Sequence, residues 1–160
     1  MIIVIMGVAG SGKTTIGQAL GRALGCSFYD SDDFHSTSAK EKMAKGIGLT
    51  DEDREPWLKE LSSLMKVWES QNPQTILACS ALKQKYRDQL AQAALVEWVY
   101  LKGNKALIAE RLKVRQGHFV SSALLDSQFE ALEEPKKALV LDISESPEFL
   151  VFSLLGHFRA

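Results

Sequence analysis

Apolar residues in this chain fall into short unbroken runs, separated by longer stretches where they recur every three or four positions. The runs at 2–6, 27–30, 75–79, 97–102 and 139–142 predict strands. Those that are apolar throughout rather than alternating imply burial on both faces. The intervening stretches predict helices over about 14–24, 38–45, 51–71, 83–94, 104–115, 121–131 and 147–158. In the first helix Ile16, Ala19, Leu20, Ala23 and Leu24 make one apolar stripe, and Gly25 stands where a helix-ending glycine belongs. Thr50 before Asp51-Glu52-Asp53 predicts an N-cap with charge that suits the helix dipole. Asn104 can cap the next helix, and Ser146-Pro147 reads as a cap followed by proline at the first helical position. Strand and helix in alternation predict an α/β fold: a five-stranded parallel sheet between two layers of helices.

Composition narrows this little. The chain has 160 residues, the size of one domain, with 46% hydrophobic and 24% charged residues. We expect a single unit over 1–160. A net charge of −1 argues against a dedicated nucleic-acid binder. The first apolar run stops at Gly7 and has no basic flank, so neither a signal peptide nor a membrane span is expected and a cytoplasmic setting is. Cys26 and Cys79 lie in no metal-binding or CxxC spacing, and buried reduced thiols are the expectation.

The chemistry starts at Gly7-Val8-Ala9-Gly10-Ser11-Gly12-Lys13-Thr14, a full G-x-x-x-x-G-K-[ST] match that follows a strand and opens a helix. The glycines let backbone N–H groups turn inward around phosphate oxygens. The helix N-terminus, running on into Thr15, adds positive potential. Lys13 can reach the β- and γ-phosphates of ATP, and Thr14 can offer its hydroxyl to Mg²⁺. A dinucleotide loop would want a third glycine where this chain has Lys13-Thr14-Thr15. A GTPase would want D-x-x-G and N-K-x-D, which are absent.

The second strand ends in Asp30-Ser31-Asp32-Asp33-Phe34-His35. The carboxyl ends of strands line the ligand crevice of such sheets. A spacing of two puts Asp30 and Asp32 on one face of an extended segment. One carboxylate can take a proton from an acceptor hydroxyl while the other holds Mg²⁺. The third strand ends in Ala78-Cys79-Ser80 with no acid, which leaves the metal to the second strand's pair. Two basic groups follow, Lys83 with Arg87, and Arg111 with Arg115, Gly117 and His118. They suit an anionic acceptor and the charge on a transferring phosphoryl group. Gly117 offers a hinge for a closing lid.

Several blocks together resemble the small P-loop gluconokinases, which are related in fold to shikimate kinase and the nucleoside-monophosphate kinases. They are Asp30-x-Asp32-x-x-His35, Asp51-x-Asp53-Arg54-x-Pro56-Trp57-Leu58, Cys79-Ser80-Ala81-Leu82-Lys83-x-x-Tyr86-Arg87, Arg115-x-Gly117-His118-Phe119 and Gln128-Phe129-x-x-Leu132-Glu133-x-Pro135. The resemblance implies transfer of the ATP γ-phosphate to D-gluconate, with acceptor-binding helices at about 35–71 and a lid at about 111–130, and commonly a homodimer. It implies Asp32 at the acceptor hydroxyl as base or orienter, which leaves Asp30, together with the loop's Thr14, as the candidate for the metal. It implies Arg54, Lys83 and Arg87 on gluconate's carboxylate and hydroxyls, with His35 and His118 beside them. Arg111 and Arg115 would meet the phosphates, and the segment 142–147 would contact adenine. The chain departs from the family pattern at Ser31, Ser36, Ala39 and Gly48, which leaves shikimate or another sugar acid as the alternative acceptor. A nucleotide-binding regulatory module without turnover is the reading from another class.

Overall fold

The computed structural model describes residues 1–114 and 122–159. The strands are β1 (Ile2–Met6), β2 (Ser27–Asp30), β3 (Thr75–Ala78), β4 (Val96–Lys102) and β5 (Leu139–Asp142). They form one sheet in the order β2-β3-β1-β4-β5, and every pairing is parallel. The described helices are α1 (Lys13–Leu24), α2 (Thr37–Ala44), α3 (Asp51–Gln71), α4 (Gln84–Ala91), α5 (Lys105–Val114), α6 (Ser122–Ala131) and α7 (Pro147–Phe158).

β1 is the centre of the sheet, and each of its five residues is fully buried. Strand side chains alternate between faces, so β1 feeds two cores. Ile3 and Ile5 join Ile16 and Leu20 of α1, Ile108 of α5 and Leu150 and Leu154 of α7. Ile2, Val4 and Met6 join Trp57, Leu61 and Met65 of α3 and Leu90 of α4. Each such side chain contributes roughly 1.5–3 kcal/mol by leaving water. That double burial is why β1 reads as a continuous apolar run, whereas β2 and β5 at the sheet edges are only partly buried.

The helix ends follow the expected chemistry. Thr50 and Asp53 form a reciprocal capping box at the start of α3. The Ser146 hydroxyl accepts from the Phe149 N–H, and Asn104 Oδ1 from the Leu107 N–H. Gly25 closes α1 in the left-handed region at φ 69°. By contrast, the N-terminus of α1 has no side-chain cap. The first N–H groups of a helix lack partners within it, which suits an anion there.

Several boundaries differ from the sequence reading, most by a single residue. Ser31–Phe34 forms a 3₁₀ turn where an extended segment was expected. The fourth helix stops at Ala91 rather than 94, and β3 ends at Ala78. No helix among the described residues is long and apolar enough to cross a membrane.

Candidate active site

The loop 7–14 joins β1 to α1 at the carboxyl edge of the sheet. Gly12 (φ 98°) is the residue before α1. Gly10 (φ 79°) has Leu112 and Ile108 of α5 packed so close that a Cβ would lie 2.9 Å from Leu112. Any side chain at Gly10 would therefore push α5 off the loop. The Lys13 ammonium donates to the Val8 carbonyl at 3.0 Å, so its charge already lies folded over the loop.

The two acids sit differently from what their spacing suggested. Asp30 Oδ1 accepts from the Asp32 N–H at 3.0 Å and so caps the 3₁₀ turn. Its Oδ2 accepts from the Thr14 hydroxyl at 2.8 Å. The turn thus separates the pair: Asp30 lies against the loop's threonine, while the Asp32 side chain, 67% exposed, faces the open crevice. The crevice withholds part of the solvent from Asp32 and the Asp30 charge stands beside it. Both raise its pKa, against the pull of Lys13.

His35 is buried, stacked on Trp57 at 4.2 Å between ring centres. Burial, then the charges of Arg54 and Lys40, lower its pKa to about 4, so it is neutral at pH 7. Its Nε2 lies 4.0 Å from Asp32 Oδ1, and its Nδ1 has no partner among the described residues. Trp57 is itself fixed, because its Nε1 donates to the Ser31 carbonyl at 2.7 Å. Ser31 and Trp57 therefore hold the turn that presents Asp32. Beneath that turn lies Cys79, 1% exposed, and burial pushes its thiol up to about 11 against a hydrogen bond from Ser31.

A crevice of about 860 Å³ runs from the loop past Asp32 and His35 to Arg54 and Lys83. Arg54 donates to the Leu49 carbonyl at 2.5 Å and lies 5.5 Å above the Tyr86 ring. Lys83 reaches Asp51 at 3.1 Å, and Lys85 and the Tyr86 hydroxyl bind the same carboxylate. Met43, Ile47 and Leu49 add an apolar wall. Gln128 of α6 closes the crevice above the loop, its Oε1 accepting from the Ala9 N–H at 2.6 Å.

Lys13, Thr14, Asp30, Asp32, His35, Arg54 and Lys83 therefore converge on one crevice, while two arginines do not. Arg87 is 2% exposed. It donates to the carbonyls of Ala81, Leu82 and Glu133 at 2.6, 3.0 and 2.7 Å and to Gln84 Oε1 at 3.0 Å. It pins the turn after β3, where Ala81 is held at φ 45°, to the end of α6. Arg87 does not line the crevice, because its donors are already engaged by these acceptors. Arg87→Met should therefore cost about 3 kcal/mol of stability by stranding buried carbonyls. Urea unfolding measures this, and a loss under about 0.5 kcal/mol would refute the assignment. Arg111 donates to the Ile143 carbonyl, in the segment expected to contact adenine. Arg115 and His118 lie outside the described residues.

Two of the departures have visible local roles. The Ser36 hydroxyl accepts from the Ala39 N–H at 3.1 Å and caps α2, and Ala39 is 4% exposed and does not line the crevice. Sequence reasoning gave Asp51 only a helix-dipole role, not its contacts with Lys83, Lys85 and Tyr86, and gave Gln128 none. Gln128 lies 119 positions from its partner, and only its place in the resemblance block marked it.

A family model described as Shikimate kinase matches residues 9–144. A gluconokinase from Arabidopsis thaliana is 41% identical, over 96% of this chain and 90% of its own length. Among solved structures, an unliganded sugar kinase from Janibacter sp. HTCC2649 superposes with a TM-score of 0.90 at 42% identity, covering 97% of this chain and 92% of that one. A gluconokinase from Sinorhizobium meliloti 1021 gives 0.87 at 38% identity, covering 96% and 89%.

Proposed function

The chain belongs to the gluconokinases of the shikimate kinase family, and we propose that it phosphorylates D-gluconate with ATP to give 6-phospho-D-gluconate. One observation supports the reading above the others: a single crevice carries the phosphate loop at one end, the Arg54 and Lys83 cations at the other, and Asp32 between them. A phosphate donor, a reacting hydroxyl and an anionic tail need that order.

The loop 7–14, with Thr15, holds the phosphates through backbone N–H groups and Lys13. Asp32 accepts the proton of the gluconate 6-hydroxyl as that oxygen bonds to the γ-phosphorus. The bond from phosphorus to the bridging oxygen breaks, and ADP leaves with that electron pair. Arg54 and Lys83 hold gluconate's carboxylate, and the neutral His35 offers ring nitrogens to a hydroxyl. Arg111 serves the nucleotide side, and Arg115 and His118 belong to the same proposal, as do the lid at about 111–130 and the acceptor-binding helices at about 35–71.

Thr14 and Asp30 supply hard oxygen ligands side by side, which fits Mg²⁺. No group of three or more His, Cys, Asp or Glu among the described residues could hold a metal alone. That agrees with an ion that takes its remaining ligands from phosphates and water. When bound, the ion neutralises phosphate charge. We place the enzyme in the cytoplasm, where the free thiols Cys26 and Cys79 stay reduced, and as a homodimer.

The test is ADP release with ATP and Mg²⁺ over gluconate, other aldonates, glucose, shikimate and nucleoside monophosphates. Gluconate should give the highest kcat/KM. A folded protein with no gluconate-dependent rate would sink the proposal, and shikimate as the better acceptor would replace it.

A further inference from the structure

We infer that Gln128 is a catalytic residue, anchored by the Ala9 N–H and donating from its Nε2 to the phosphoryl group in transfer. The inference rests on the phosphotransfer reading above and adds a residue to it. The orientation of the amide follows from its partner. Ala9 N–H can only donate, so the atom 2.6 Å away is the carbonyl oxygen Oε1. That leaves Nε2, which has two N–H donors, at the other end of the amide. Among the described residues it has no hydrogen-bond partner. Gln128 lines the same crevice as Lys13 and Asp32, and the residue that anchors it belongs to the phosphate loop itself.

The backbone beneath Gln128 is fixed. The Leu132 N–H donates to the Gln128 carbonyl at 2.9 Å, and the next N–H, of Glu133, donates to the Leu82 carbonyl at 2.8 Å. Arg87 holds the Glu133 carbonyl, and the Gln84 N–H reaches Glu133 Oε1 at 3.2 Å. The end of α6 is thus tied to the turn after β3 within about one helical turn of Gln128. A donor held this firmly does not have to reorganise as charge builds on the phosphoryl oxygens, and donors of that kind contribute most to such steps. A neutral amide also suits a place between a backbone donor and an anion, because it can accept from one and donate to the other.

Gln128→Glu separates the two ends of the side chain. A carboxylate still accepts from Ala9, so the anchor survives, but it has no donor and sets a negative charge beside the phosphoryl group. We expect kcat to fall about 10²-fold or more, KM for ATP and gluconate to stay within about threefold, and the melting temperature to stay near that of the parent. Gln128→Ala should lower kcat about 10- to 100-fold. The ³¹P resonance of the γ-phosphate of bound ATP should differ between parent and Gln128→Ala whatever the acceptor proves to be. Three results would overturn the inference. One is a Gln128→Glu variant that turns over within threefold of the parent. Another is Gln128→Ala binding ATP more tightly at unchanged kcat, which would make Gln128 only a placeholder on Ala9. The third is an unchanged γ-phosphate resonance. A parent with no gluconate-dependent rate and a shifted resonance would instead fault the acceptor assignment.

Discussion

Lys13→Ala should lower kcat by about 10³-fold or more while leaving the protein folded. The basis is charge. Removing one neutral donor from a transition-state cradle costs about 10²–10³ in rate, and Lys13 supplies a full positive charge where negative charge accumulates. Its ammonium rests 3.0 Å from the Val8 carbonyl, so it is already over the loop that would hold the phosphates and needs no large movement to meet them. Val8 keeps a partner in the Ser11 N–H at 3.2 Å, and α1 has no cap at Lys13 to lose. Steady-state ADP release and a thermal melt decide the matter together. A soluble variant retaining more than about a tenth of the parent's rate would remove Lys13 from the chemistry.

Asp32→Asn is the second large effect, expected at about 10²–10⁴-fold in kcat. Asparagine preserves the shape and the 3₁₀ turn, because that turn is capped by Asp30 rather than Asp32. What is lost is the acceptor for the hydroxyl proton. The pH profile gives the sharper reading. The pKa of Asp32 is raised, first by partial desolvation and then by Asp30. The ionised form is the active one, so kcat should fall as pH drops through that raised value, above the range of an ordinary aspartate. The limb should vanish from whatever activity Asp32→Asn retains. An acid limb that persists unchanged in the variant would belong to another group.

The fold was legible because its signals are local. Continuous apolar strands, the capping residues Thr50, Asn104 and Ser146, and Gly25 each act within a few positions. The phosphate loop was legible for the same reason. The acids were only half legible. Their spacing suggested a shared face, but Asp30 closes its carboxylate on the N–H of Asp32 and turns the chain, which sends the two side chains to different tasks. Arg87 shows the limit on the other side. As a basic residue beside Lys83 it read as a substrate contact, yet its burial and its carbonyl partners depend on Glu133, 46 positions away. Gln128 is the same case at longer range. Side chains that define a site across the chain leave no period or cap to read.

Cys79 gives the crevice an internal reporter. Its thiol lies directly beneath the turn that carries Asp32, and at pH 7 burial keeps almost all of it protonated and out of reach. Alkylating reagents can reach it only when the floor opens, so its modification rate measures that opening against the half-exposed Cys26 in the same molecule. A nucleotide that closes the site should slow labelling at Cys79 and leave Cys26 alone. The chain therefore offers a readout of local breathing at the active site without any introduced dye or probe residue.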